Sequence, residues 1–167
     1  MIRLVLLLFL MPVTCFSQNF IGKSKIQVKK ILQRQIVRND SLTITLTDND
    51  SVILYSVKAG RVYPADFIYG FDNYGKCRLE KISLTCDSCY KIFLQDVLAQ
   101  KKYGWKKLNE NQYISKYASR MMIELSAESK DLYYTILKTA WTKKLYSLLT
   151  DTNQLTPKNI NNDKQLK

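Results

Sequence analysis

The residues best suited to chemistry are Cys86-Asp87-Ser88-Cys89. Two thiols separated by two residues can close a small disulfide ring. Where such a pair opens a helix, the unsatisfied N–H groups of the first turn favour a thiolate. That is the chemistry of thiol–disulfide exchange. Exchange proteins of the thioredoxin kind, however, set the pair in a parallel βαβ frame and use a later proline beside it. The only later proline here is Pro157, near the C-terminal end. A structural disulfide is therefore the first reading of Cys86 and Cys89, and exchange the alternative.

Other chemistries fall away on residue type. The chain has no histidine, which excludes Ser-His-Asp and Cys-His hydrolases and every His-ligated metal site. Cys77 stands too far from the Cys86/Cys89 pair to share a zinc ion with it, so neither metal nor cofactor is expected. Asp66, Asp72, Glu80 and Asp87 bracket the middle of the chain. A glycosidase needs two carboxylates about 5–10 Å apart across a cleft, and nothing singles out such a pair. Gly22-Lys23-Ser24 matches the end of a phosphate-binding loop, but the full pattern needs glycine at position 17, which is Ser17. No catalytic residue is assigned, and the residues point away from an enzyme.

Charge is the other chemical signal. Among 167 residues, 26 are Lys or Arg and 14 are Asp or Glu, a formal charge of +12. Lys30, Arg34 and Arg38 share one side of the first helical segment. Lys101, Lys102, Lys106 and Lys107 flank Tyr103 and Trp105, a basic and aromatic interleaving that suits anionic surfaces.

The compartment follows from the N-terminus. Met1-Ile2-Arg3 is a short positive region and Leu4–Met11 an apolar run, too short for a bilayer span of about 20 residues. Pro12 breaks it, and Cys15 and Ser17 supply small residues for cleavage before Gln18, the pattern of a secretory signal over 1–17. Lipidation at Cys15 is the lesser reading, because leucine is missing three residues before it; an uncleaved N-terminal anchor is another. No other segment reads as a membrane span. Export implies the periplasm or secretion, and nucleic acid is not an expected partner. Loss of Cys15 leaves Cys77, Cys86 and Cys89, an odd number that suggests one disulfide and one buried or free thiol. If 76–85 is one strand, Cys77 and Cys86 lie about 30 Å apart, far beyond the roughly 7 Å a bridge allows. Cys86–Cys89 is then the favoured pair, unless that strand bends or is broken.

The elements that must position these residues read as an α+β domain over 18–150. After a leader at 18–22, Ser24 and Gln27 form a capping box. Val28, Leu32 and Ile36 then recur on one helical face to about Val37, with Ile21 on the same side. Strands follow at 41–47, 52–57, 67–71 and 76–85, the first a strict alternation of threonine and apolar residues. A second helix, capped by Asp87 or Ser88, runs to about Tyr103 with Tyr90, Phe93, Leu94, Val97 and Leu98 as its apolar face, and Gly104 stops it. Strands at 105–108, 113–117, 121–127 and 132–139 and a short helix at 141–149 complete the domain. Trp105 and Trp141 read as core. Residues 151–167 read as a disordered tail. Asn39-Asp40-Ser41 and Asn49-Asp50-Ser51 match glycosylation sequons and equally fit turns.

Hairpins with polar turns predict an antiparallel sheet of about 7–8 strands with two main helices on one face. An alternative description is two tandem helix-plus-meander units, supported by element order and not by any residue-level repeat. Phe20-Ile21-Gly22-Lys23-Ser24-Lys25-Ile26-Gln27-Val28, within residues 20–32, resembles the opening of small bacterial envelope domains, the group of outer-membrane-assembly lipoproteins and β-lactamase-inhibitory proteins. The resemblance implies a non-enzymatic protein that binds other proteins across its sheet. The expectation is an exported binding protein of the bacterial envelope with a cationic surface, its partner an anionic surface or an envelope protein. The alternative is an envelope thiol–disulfide protein using Cys86 and Cys89.

Overall fold

Ser24 and Gln27 lock the start of the first helix reciprocally. The Ser24 N–H donates to Gln27 Oε1 at 3.0 Å, and the Gln27 N–H donates to Ser24 Oγ at 3.3 Å. Two N–H groups that a helix leaves unpaired are satisfied at once. From this cap runs α1 (Lys25–Arg38), with Val28 and Leu32 fully buried and Ile21, Ile31 and Ile36 packed beside them. The computed structural model describes residues 19–38, 42–58, 64–126 and 132–151. The segment 1–17 read as a secretory signal, with Cys15, the sequon at Asn39, most of the 58–64 connection and the stretch read as a tail beyond Asp151 lie outside these residues.

A meander of four antiparallel strands follows: β1 (Thr43–Asp48), β2 (Val52–Lys58), β3 (Ala65–Phe71) and β4 (Cys77–Leu84). Then come α2 (Asp87–Leu98), a second meander of β5 (Lys106–Asn109), β6 (Gln112–Ile114), β7 (Met121–Leu125) and β8 (Tyr133–Lys138), and α3 (Lys143–Thr150). All eight strands form one sheet in the order β1-β2-β3-β4-β8-β7-β6-β5. Each half is a helix followed by a meander, and the last strands of the two halves, β4 and β8, pair antiparallel at the centre. The element order of tandem units is therefore real, and the topology is symmetric about the β4/β8 seam.

Strand parity decides which face the helices cover. Ile53, Tyr55 and Val57 of β2, Ala65, Phe67 and Tyr69 of β3, Ile82 and Leu84 of β4, Tyr134 and Ile136 of β8, and Met121 and Ile123 of β7 join one buried cluster with Val28, Leu32 and Val97. Both main helices thus pack on one face. Phe67 sits between Tyr55 at 5.9 Å and Phe93 of α2 at 6.3 Å between ring centroids.

The leader is more than an approach to α1. It runs beside the start of β4, with Gly22 N–H donating to Cys77 C=O at 2.8 Å and Cys77 N–H to Lys23 C=O at 2.9 Å. Gly22 adopts φ +87°, which a side chain would strain. Phe20 is 2% exposed and meets Tyr69 edge-on at 5.2 Å, while Asn19 Nδ2 reaches Met121 Sδ at 3.5 Å. The leader therefore touches both halves of the sheet.

Several boundaries differ from expectation by a residue or two, and three differences have a visible cause. Helix α2 stops at Leu98, not near Tyr103. The Tyr103 carbonyl accepts the Lys116 N–H at 2.8 Å and its ring packs on Trp105 at 5.6 Å, ties that draw the chain out of a helical path. The cap of α2 is Cys86, not Asp87 or Ser88. Strand β6 ends at Ile114, because Ser115 turns inward: its N–H donates to Met121 C=O and its Oγ accepts the Met121 N–H, both at 2.9 Å.

Candidate functional site

The face of the sheet opposite the helices carries an ordered pattern. Register places Val52, Gly70, Leu79, Leu137, Met122 and Ile114 in one row across β2, β3, β4, β8, β7 and β6, with Lys106 of β5 at its end. Six consecutive strands thus align apolar or glycyl positions along about 24 Å, at about 4.8 Å per strand, with Ile114 at the β6 end fully buried. A Cβ at Gly70 would lie 3.3 Å from Leu79 Cβ, so glycine is what lets Leu79 lie flat across its neighbour. Leu79, Leu137 and Met122 on this row are half-buried. The next row is mixed: Thr47, Leu54, Ile68, Lys81, Thr135, Glu124 and Gln112. Beyond it Thr45, Ser56, Asp66, Ser83 and Tyr133 are mostly polar. Lys81 Nζ sits 3.8 Å above the Tyr133 ring.

The carboxylates do not assemble. Asp66 is exposed on this open face and Asp72 sits in the β3–β4 turn. There Asp72 accepts Tyr74 and Lys76 N–H groups and pairs with Arg78 at 2.8 Å. Those backbone and guanidinium donors hold its carboxyl below the usual range. Asp87 pairs with Lys91 at 2.6 Å. Glu80 points the opposite way from Asp66, into the helix-side core. Among the described residues no cluster of three or more His, Cys, Asp or Glu is placed to hold a metal, and no helix is long and apolar enough to cross a membrane. An open depression of about 530 Å³ at Asn109–Gln112, Glu124 and Leu125 contains two acids, but Glu110 is paired with Lys107 at 2.8 Å.

The basic residues form two separate clusters. Lys30, Arg34 and Arg38 are exposed along the outer side of α1, next to Ile26 and Val37, which are 80% and 76% exposed. Lys25 and Lys29, by contrast, both pair with Asp48 at 2.7 Å, tying α1 to the β1 edge. Lys101, Lys102, Lys106 and Lys107 are exposed at the β5 edge, with Lys102 Nζ 4.6 Å from the Tyr103 ring centroid. Strands β1 and β5 are the two edges of an eight-stranded sheet, so the clusters do not merge. Trp105 packs against the core, whereas Trp141 stacks on Tyr146 of α3, 6.3 Å between centroids, outside the main cluster.

Cys86 and Cys89 form a disulfide across the β4–α2 junction, and Cys77 is a free, fully buried thiol. Burial pushes the Cys77 thiol up to about 12, with the nearby Glu80 carboxylate adding to the effect. Cys86 is the N-cap: its Sγ accepts the Cys89 N–H at 3.0 Å and lies 3.3 Å from Ser88 Oγ. No protein-family model, curated protein or solved structure matches this chain.

Two residues central to the architecture were named in sequence without their structural role, Glu80 as one of four scattered carboxylates and Phe20 as part of the leader. Glu80 accepts the backbone N–H groups of Phe20 and Ile21, and burial among Tyr69, Tyr134 and Cys77 raises it to about 8 in spite of those two bonds. Its signal was strand parity: Glu80 shares a face with Ile82 and Leu84, where an acid needs a partner. Phe20 stood in a leader with no periodicity to mark it.

Proposed function

We propose that this chain is an exported binding protein of the bacterial envelope that holds a protein partner against the open face of its sheet. The observation that carries this reading is the half-buried apolar row from Val52 to Met122, crossing five strands on the face opposite α1 and α2. A contiguous apolar row left partly exposed is costly in water and marks a surface that meets a partner. Lysines Lys58, Lys81 and Lys106 lie on this face against Asp66 and Glu124, and the whole chain is +12. An acidic partner is favoured, approaching faster at low salt. The absence of a convergent acid, base or nucleophile among the described residues fits binding rather than catalysis.

Site-specific photocrosslinking tests this. A crosslinker at Met122 or Leu137 is expected to join one discrete protein from an envelope preparation, and one at Lys30 on α1 is not. Leu137→Asp, with thermal melting to show that the fold survives, should abolish the adduct, and Lys81→Glu should weaken it. Equal labelling from both faces, or an adduct that survives Leu137→Asp in a folded protein, overturns the reading.

A further inference from the structure

The Cys86–Cys89 pair is placed as a reactive group rather than a clamp. Its loop encloses only Asp87 and Ser88, so it ties together no distant parts of the fold. Both cysteines are half-buried at the surface rather than in the core, in contrast to Cys77. Cys86 caps a helix of 12 residues, a position whose preferred occupants carry an oxygen acceptor. Here the acceptor is sulfur, receiving the Cys89 N–H at 3.0 Å with the Ser88 hydroxyl 3.3 Å away. Breaking the disulfide leaves these donors aimed at Cys86 Sγ, where they stabilise a thiolate better than a bonded sulfur. A stabilised thiolate makes the reduced form more favourable and the disulfide more oxidising. Lys91 is held by Asp87 at 2.6 Å and so offsets that neighbouring carboxylate.

We infer that Cys86–Cys89 is a thiol–disulfide exchange site that accepts electrons from a dithiol, a pair of cysteines on a protein being the fitting class. One partner thiol, its proton lost to water, attacks Cys86 Sγ. The Sγ–Sγ bond breaks, and its electron pair leaves on Cys89, which takes a proton from water. The partner's second thiol loses its proton and attacks the mixed disulfide. The partner's disulfide forms, and Cys86 is released as a thiolate resting on the Cys89 N–H. The partner is oxidised by two electrons, this pair is reduced by two, and one proton passes to water.

The site lies on the β4–α2 junction and does not rest on the open face, so the Leu137→Asp protein should exchange normally. The test uses the Cys77→Ser chain and its single variants Cys86→Ser and Cys89→Ser, with dithionitrobenzoate as the probe below neutral pH. Cys86 in the Cys89→Ser protein is expected to react on the order of tenfold faster than Cys89 in the Cys86→Ser protein. Thiolate absorbance should appear well below the range of an ordinary thiol, and Ser88→Ala should narrow the gap. Dithiothreitol should reduce the pair in a chain that circular dichroism shows to be folded. Equal reactivity of the two cysteines, or a disulfide reduced only on unfolding, overturns the proposal. If a single variant fails to fold, the equilibrium of the intact pair in dithiothreitol mixtures decides: a pair no more oxidising than an ordinary structural disulfide ends it.

Discussion

At the start of α1, Ser24 and Gln27 occupy the cap and the third helical position and exchange hydrogen bonds; at the start of α2, Cys86 and Cys89 occupy the same two positions and share a covalent bond. Both pairs answer one requirement, the N–H groups that the first turn leaves without acceptors. The first half adds the leader, which pairs with β4 and ends in Phe20 and the bonds to Glu80. The second half has no leader, because α2 follows β4 directly. What holds the first half is therefore burial and a buried carboxylate, sensitive to pH. What holds the start of the second half is a bond, sensitive to redox state. Two modules of like topology can thus answer to different variables.

Substitutions can break that contrast, the largest effect expected first. Phe20→Ala removes a ring buried between leader and sheet and should cost about 3–5 kcal/mol in urea unfolding. A loss under about 1 kcal/mol would mean that the leader is not a structural part of the first half. Glu80 comes next. Its folded carboxyl is raised from 4.5 to about 8, so between those values the folded chain keeps a proton that the unfolded chain releases. Stability then falls as pH rises through that window, by up to about 1.4 kcal/mol per pH unit. Glu80→Gln keeps an oxygen for the leader's N–H groups and should flatten that slope, with the gain largest near the upper end. An unchanged slope in thermal melts would place the pH sensitivity elsewhere.

The double variant Cys86→Ser/Cys89→Ser opens the small ring and should cost about 2 kcal/mol at most, since a hydroxyl at position 86 recovers part of the cap. Reducing agent should then have no further effect on its melting. Ser24→Ala, the matching change in the first half, should cost about 1 kcal/mol, and Gln27→Ala less. If Ser24→Ala proved costlier than loss of the disulfide, the covalent bond would have no stabilising advantage over the capping box.

Much of the fold was legible because it is written in local patterns. Thr43, Thr45 and Thr47 alternating with Ile44 and Leu46 dictate a half-buried strand. The four-residue recurrence of Val28 and Leu32 dictates a helix face, and nine intervening steps of strand keep Cys77 from Cys86. The end of α2 was not legible, since Tyr103 leaves the helix only because Lys116, far along the chain, takes its carbonyl. Nor was the division of the basic residues. Lys25 and Lys29 look equivalent to Lys30 in sequence, and only the approach of Asp48 separates paired from free. The candidate sites divide in the same way. The cysteine pair could be named from spacing, whereas the apolar row needed the register of six strands.

Length, periodicity and turn residues by themselves determined the number, kind and order of the elements, because these depend on interactions among near neighbours along the chain. The pairing of β4 with β8, the burial of Glu80 against the leader and the alignment of Leu79 with Leu137 and Met122 were decided only in three dimensions. Those features depend on which distant surfaces exclude water together, and no local pattern encodes that choice.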